Sequence, residues 1–354
     1  MSVYEKSSKN TVVKLLNFLC MKIKVFALVA LLSFGLFVFQ SCQRSQKEIV
    51  IGLLMDDFAT ERWAKDTTFF INKVNELGGK VICRIANQDP LKQLEQAKEL
   101  IDKKVDILVI VPADLEKAGQ IVEVAGAAHI QVISYDRLIL NSNLDYYVSF
   151  DNVKVGELQA EYILNRLGKG NVALIGGPLT DYNSYFLRLG QIGILQPFIE
   201  KGDIKIIYDK YASSWSDTSG YRLALSCLKA YPNKVDAFIA SNDMLAKGVI
   251  EALEEKSLAG KVLVTGQDGD SLACENIIMG KQSMTVYKPI EALAFAAAEA
   301  AMAIAGNLNI KNANTTINNG YKLVPSILLA PMVVNKGNIG MQINTVKYMK
   351  EQFK

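Results

Sequence analysis

From Glu48 onward, short apolar runs alternate with longer stretches of helical periodicity, and most of the apolar runs stop in a polar cluster. The runs Ile49–Met55, Val81–Ile85, Asp106–Val111 and Val132–Ser134 read as four strands, with helix patterns over Arg62–Leu77 and Leu91–Lys103 between them. After Phe150 a second series follows, at Val172–Ile175, Ile204–Ile207, Ala237–Ala240 and Val262–Thr265. Alternating strands and helices predict parallel βαβ units, and near-continuous apolar strands predict sheets covered on both faces. A chain of 354 residues exceeds what one core usually organises, so two α/β lobes are expected.

The residues that follow the strands carry the functional information. The first series ends in Met55-Asp56-Asp57, Pro112-Ala113-Asp114 and Tyr135-Asp136-Arg137. The second ends in Gly176-Gly177-Pro178, Ser241-Asn242-Asp243 and Gly266-Gln267-Asp268. Open α/β sheets bind ligands outside the carboxyl ends of their strands. Two sheets with polar strand ends therefore predict two lobes facing one cleft.

Charge and composition narrow what the cleft can do. Of 39 basic and 36 acidic residues, five and one fall in the first 42, which leaves 34 against 35 from Gln43 onward. A near-neutral body has no electrostatic footprint for nucleic acid. The single histidine, His129, is placed at a helix end and leaves no cluster for a catalytic metal, so no metal and no cofactor are expected. The mix at the strand ends suits an uncharged polyol, which needs carboxylates to accept, Arg, Lys and Asn to donate, and an aromatic plane for its C–H face. Both tryptophans, Trp63 and Trp215, stand in polar surroundings just after a strand. Arg62 reads equally as a donor or as the solvated first turn of a helix. Asp268 reads as a ligand group or as the N-cap of a helix through Leu272–Ile278, and Asn242 and Asp243 as ligand groups or caps of the helix near Met244. Lys288 sits where one lobe hands over to the other.

The first 42 residues form an address. Met21-Lys22-Ile23-Lys24 precedes an apolar stretch, Val25–Phe39, which is short for a membrane span and suits a secretory signal. Met21 is the better start, with residues 1–20 as overhang. Phe39-Gln40-Ser41-Cys42 resembles a bacterial lipoprotein box, which makes Cys42 the lipidated N-terminus of a body held at a membrane. Cys83, Cys227 and Cys274 then remain, an odd count without a CxxC pair, and Cys83 and Cys227, in apolar runs, are expected to be buried free thiols.

Over residues 48 to about 340 the chain resembles the periplasmic sugar-binding proteins of the ribose-binding type, and most closely those that take D-xylose for bacterial ABC transporters. The segments that carry the resemblance run in order: Asp56-Asp57 with Glu61-Arg62-Trp63, Tyr135-Asp136-Arg137, Ser149–Asn152 with Val155–Gln159, Ser241-Asn242-Asp243, Gly266-Gln267-Asp268, Met284–Pro289, and Asn318-Asn319-Gly320 with Val324-Pro325-Ser326. The resemblance implies a type I periplasmic binding protein fold: two doubly wound parallel-sheet lobes on a three-crossing hinge. It implies crossings near Asn152-Val153, Lys288-Pro289 and Val333-Val334. The N-terminal lobe would hold residues 48–152 plus 289–333, and the C-terminal lobe 153–288 plus 334–354.

The resemblance also implies roles. Arg62, Arg137 and Lys288 would donate to sugar hydroxyls, Asp181 and Asp268 would accept, and Asn183 and Asn242 would do both. Trp215 would stack on the sugar ring and Trp63 close the other face, with Asp136 touching sugar or orienting Arg137. Tyr182, Ser214 and the spacer Phe58-Ala59-Thr60 depart from the family pattern beside the pocket. The implied partners are a monosaccharide, a pentose first, an ABC permease and a membrane reached through the lipid, with the protein a monomer in the periplasm. A sensor role, presenting the closed form to a membrane histidine kinase, is the alternative. An enzyme is not expected: Met55-Asp56-Asp57-Phe58 replaces a Gly-x-Gly-x-x-Gly turn, no phosphate-binding loop occurs, and nothing marks Asp181 and Asp268 as a glycosidase pair. A lactose-repressor-like regulator would need a helix-turn-helix where the signal segment stands.

Overall fold

The computed structural model describes residues 18–22, 26, 47–58, 61–308, 310, 313 and 315–340. The lipoprotein box with Cys42, and the end of the chain from 341, lie outside the described residues. The chain divides into two compact units, Met1–Lys47 and Glu48–Lys354, and all that follows concerns the second.

The second unit holds two sheets. The first contains β1 (Val50–Met55), β2 (Lys80–Ile85), β3 (Ile107–Ile110), β4 (Gln131–Tyr135), β5 (Tyr146–Phe150), β11 (Thr315–Asn318) and β12 (Leu323–Leu329), in the order β11-β12-β5-β4-β3-β1-β2. The second contains β6 (Gly170–Gly176), β7 (Ile204–Tyr211), β8 (Ala237–Ala240), β9 (Leu263–Asp268), β10 (Met284–Tyr287) and β13 (Met332–Asn335), in the order β13-β10-β9-β8-β6-β7. Pairing is parallel except at the edges, where β11 runs against β12 and β13 against β10. Five consecutive strands of each sheet, β5-β4-β3-β1-β2 and β10-β9-β8-β6-β7, follow the same order, so β1 to β5 correspond to β6 to β10.

Nine helices among the described residues cover the sheets: α1 (Glu61–Glu76), α2 (Pro90–Asp102), α3 (Gly119–Ala127), α4 (Asn152–Leu167), α5 (Asn183–Glu200), α6 (Asp217–Ala230), α7 (Asp243–Glu255), α8 (Ser271–Met279) and α9 (Ile290–Ala305). Several start on the side chains that favour such starts. Asp89 accepts from the amides of Leu91 and Lys92, Asp151 from Lys154, Ser216 from Ser219 and Asn242 from Leu245. The strands β1, β3 and β4 are sandwiched between α1 with α9 on one face and α2 with α3 on the other. Because α9 follows β10 yet packs on α1 and the first sheet, the chain returns to the first lobe after Tyr287.

Strands β5, β10, β11, β12 and β13 add to the eight expected ones. Their residues are mixed in polarity, as in Tyr146-Tyr147-Val148-Ser149-Phe150, so the apolar-run signal does not mark them. The chain leaves the first sheet after Phe150 and crosses a last time between Leu329 and Met332. This last crossing precedes the expected Val333-Val334, because Met332 and Val333 already pair with Tyr287 and Val286 of the second sheet. Cys227 and Cys274 are buried free thiols, whereas Cys83 is half-buried, since β2 is the edge strand of its sheet.

Candidate functional site

All nine residues singled out as ligand groups, Arg62, Trp63, Arg137, Asp181, Asn183, Trp215, Asn242, Asp268 and Lys288, line one cavity at the carboxyl ends of both sheets. Asp136 and Gln267 complete its wall. A wider groove opens beside it, between Gln88, Pro90 and Asp114 of the first lobe and Thr180, Ser214 and Leu272 of the second. The cavity is therefore the floor of an interlobe cleft.

The first lobe supplies two anchored arginines. Arg62, in the first turn of α1, donates to Asp66 Oδ2 at 3.2 Å, one helical turn on, and to Asp136 Oδ2. Burial alone would lower the pKa of Arg62, but the carboxylates of Asp136, Asp66 and Asp268 hold it well above the ordinary value. Asp66 is itself held by the Tyr135 hydroxyl. Arg137 donates to Asp56 Oδ2 at 2.6 Å, the first polar position after β1. Both guanidinium groups lie over the Trp63 ring, at 4.6 Å and 5.4 Å from the ring centre to their central carbons. Trp63 is 5% exposed and belongs to the first-lobe core while lining the cavity, so core packing fixes the plane that the site uses.

The second lobe supplies the remaining groups. Asn183 begins α5, and that helix packs so closely on α4 that Cβ atoms at Gly156 or Gly190 would lie 2.0 Å from the carbonyls of Leu187 and Val153. Asn183 accepts from Asn152 Nδ2 at 2.8 Å and donates to Asp136 Oδ1 at 3.2 Å, across the cleft. Trp215 Nε1 donates to Asp181 Oδ2 at 3.1 Å, and the indole covers Gly177, where a Cβ would lie 2.0 Å from the ring. Asn242 spends Oδ1 on the cap of α7, so its Nδ2 group is the part left for the cavity. Lys288 is 2% exposed, 3.9 Å from Asp268 Oδ1, and burial lowers its pKa against the pull of Asp268 and Asp136.

Asp268 is not a helix cap: Asp270 precedes α8, and Asp268 instead ends β9 with φ 101°. Asp136, at the corresponding end of β4, has φ 62°. Left-handed backbone at residues with side chains is uncommon and clusters at functional positions. Here it turns both carboxylates into the cleft from equivalent strands of the two lobes.

Two features of the cavity decide its chemistry. Three cations, Arg62, Arg137 and Lys288, face three carboxylates, Asp136, Asp181 and Asp268, so the lining is charge-balanced. A ligand with a net charge would leave one sign unpaired in a buried place, which is costly. Second, Gln267 Oε1 and Asp268 Oδ1 are buried without a hydrogen-bond partner, although Arg62 and Lys288 lie 3.6 Å and 3.9 Å from Asp268 Oδ1. Unpaired buried acceptors cost about 1–3 kcal/mol each, and a polar, uncharged ligand with hydroxyls would relieve them.

Gln267 was outside the expected set, as were the supporting Asp56 and Asp66; Asp136, expected to touch sugar or orient Arg137, lines the cavity and holds Arg62. Gln267 adjoins Asp268, and in a flat strand neighbouring side chains would face opposite ways; the left-handed turn at Asp268 overrides that rule. Asp66 was legible in principle, since it stands four residues from Arg62 on one helix.

A family model described as a periplasmic binding protein domain matches residues 51–308. The D-xylose-binding periplasmic protein of Haemophilus influenzae is 45% identical over 319 residues, covering 90% of this chain and 95% of that protein. The Escherichia coli D-xylose-binding periplasmic protein is 43% identical over 293 residues, covering 83% and 88%. Among solved structures, an ABC transporter solute-binding protein from Clostridium phytofermentans with bound β-D-glucose superimposes with a TM-score of 0.78 at 28% identity, covering 86% of this chain and all of that one. With relatives that are binding proteins, a matching two-lobe fold and a cleft built to enclose a small polar molecule, the chain belongs to the periplasmic binding protein family and is not an enzyme.

Proposed function

We propose that this protein captures a monosaccharide, D-xylose first among them, in the interlobe cleft and presents the closed form to an ABC permease. The observation that carries the reading is the charge-balanced cavity between Trp63 and Trp215, with unpaired acceptors on Gln267 and Asp268. The two D-xylose-binding relatives named above supply the choice of sugar.

In this reading Arg62, Arg137, Lys288 and the Asn242 amide donate to sugar hydroxyls. Asp136, Asp181, Asp268 and Gln267 accept from them, and the two indoles cover the ring faces. Closure follows because the groups belong to different lobes. Arg137 Nε stands 3.0 Å from Asp181 Oδ2, and Arg62 and Asn183 reach across to Asp268 and Asp136. Each bond that a bound sugar adds between the lobes contributes about 0.5–1.5 kcal/mol, or about 1.5–3 with a charged partner. A few such bonds are enough to bias an open–closed equilibrium of a few kcal/mol. The protein works in the periplasm as a monomer, tethered by lipid on Cys42; replacement of Cys42 by alanine is expected to release it from the membrane fraction.

The direct test is a titration of intrinsic fluorescence with pentoses and hexoses. The only two tryptophans of the chain both line the cavity, so tryptophan emission, excited beyond the tyrosine absorption band, has no other source. A saturable change with D-xylose at low concentration supports the reading. A response to another sugar alone refutes the choice of D-xylose, and silence to every sugar, checked by calorimetry, refutes the ligand class.

A further inference from the structure

Asp243 lies outside the cavity wall yet is tied to the loop that carries Asp268. It opens α7 but does not cap it, since Asn242 does that. It is 3% exposed and reaches across β9. A Cβ on Gly266 would lie 2.0 Å from its Oδ1, so only glycine leaves room for it there. Its Oδ2 accepts from the backbone N–H of Gly269 at 2.9 Å, the N–H of Asp270 at 3.0 Å and the Thr285 hydroxyl at 2.9 Å. Its Oδ1 accepts from Gln282 Nε2 at 2.9 Å.

The loop so held is one that the backbone would not choose by itself. Asp268 and Gly269 both have positive φ, 101° and 78°. On the far side the loop meets the Tyr287 ring, which would stand 2.6 Å from a Cβ at Gly269. One carboxylate oxygen thus collects two successive N–H groups, the first of which is shared with Thr285 Oγ1 at 3.3 Å, in a conformation that costs a residue with a side chain.

We infer that Asp243 is a positioning residue: its carboxylate clamps the Gly269 and Asp270 amides and thereby fixes the Asp268 carboxylate between Arg62 of one lobe and Lys288 of the other. The effect on sugar affinity rests on the proposed sugar-binding function; the clamp itself does not. Without it, Asp268 relaxes toward ordinary backbone angles and its carboxylate leaves the place where both cations reach it.

The test compares the full chain with Asp243→Ala, Asp243→Asn and Thr285→Val, reading amide hydrogen exchange without ligand and D-xylose affinity by calorimetry. In Asp243→Ala, exchange at Gly269 and Asp270 is expected to rise by about tenfold or more relative to the buried β8 amide of Ile239, with D-xylose binding weakened by at least about tenfold. Asp243→Asn should move both clearly less than alanine does, within about fivefold, because its carbonyl can replace Oδ2, while Gln282 can accept from the new amino group through Oε1 only by giving up the bond from Nε2 to the Met284 carbonyl. Thr285→Val removes one donor from the same carboxylate and should move both readouts in the same direction by less, which also serves if the alanine variant does not fold. Protection of the two amides unchanged in Asp243→Ala, or lost with affinity intact, overturns the proposal. Asparagine as damaging as alanine overturns its hydrogen-bonding basis. If the unaltered chain binds no monosaccharide, the sugar reading fails by itself, and the exchange data alone decide the clamp.

Discussion

Replacing Gly177 by alanine adds one methyl group to the cavity floor, and the structure sets its consequence. An ideal Cβ there would lie 2.0, 2.3 and 2.4 Å from Cη2, Cζ2 and Cζ3 of Trp215. These are atoms of a rigid ring, so the indole must move as a whole. Gly177 does not have positive φ, so the backbone accepts alanine and the damage falls on Trp215 alone. Displacing the indole breaks the bond from Nε1 to Asp181 Oδ2, which also faces Arg137 across the cleft. That bond exists without ligand, so its loss of about 1.5–3 kcal/mol falls on stability, while a displaced indole that leaves roughly 60 Å² of sugar face uncovered costs about 1.5 kcal/mol, or roughly tenfold in affinity. D-Xylose calorimetry should show that loss, while Gly193→Ala, which meets nothing within 4 Å, leaves affinity unchanged. Thermal unfolding checks that Gly177→Ala folds. Affinity within threefold of the unaltered chain in a folded Gly177→Ala variant would refute the claim that Trp215 is seated by the absence of a side chain at 177.

Three further outcomes are expected. Asp268→Ala should weaken D-xylose binding by at least about tenfold and also lower the ligand-free melting temperature, because Arg62 and Lys288 lose a shared carboxylate; intact affinity in the folded variant would contradict the site assignment. Burial pushes the Asp66 carboxyl up to about 6 against the pull of Arg62 and Tyr135. A raised folded pKa means that Asp66 contributes stability in full below its ordinary value of 3.8, and that this contribution drains as pH rises to about 6, a change of ~3 kcal/mol. Urea unfolding from pH 3.5 to 7 should therefore show a steeper fall in stability with pH for the unaltered chain than for Asp66→Asn, and parallel curves would refute the shift. Tyr182 stacks on Tyr185 with ring centres 4.9 Å apart and, with Phe186, packs on the first-lobe core from the second lobe. Tyr182→Ala should weaken D-xylose binding about two- to tenfold and enlarge the ligand-free radius of gyration seen by X-ray scattering, and an unchanged radius would argue against a role in closure.

Local pattern alone was enough to set the class of fold and the direction in which the site faces. Apolar runs such as Val172–Ile175 and Ala237–Ala240 can only be buried strands at that length, and the polar residues after them must lie at the carboxyl edge of a parallel sheet. That logic, with the resemblance, placed all nine expected residues in one cavity, although Asp181 and Trp215 are 34 positions apart and Arg62 and Lys288 are 226 apart. Only the tertiary structure decided the rest. The mixed-polarity edge strands are made by pairing with neighbours that local periodicity does not encode, and so the last crossing came two residues early. Asp268 shares the cavity with its strand neighbour Gln267 because Asp268 adopts a left-handed backbone, which no composition rule demands of an aspartate. Asp243 reads as a helix cap in the sequence, because capping is local; its partners, Gly269, Asp270, Gln282 and Thr285, lie 26 to 42 residues away and meet it only when β8, β9 and β10 lie side by side.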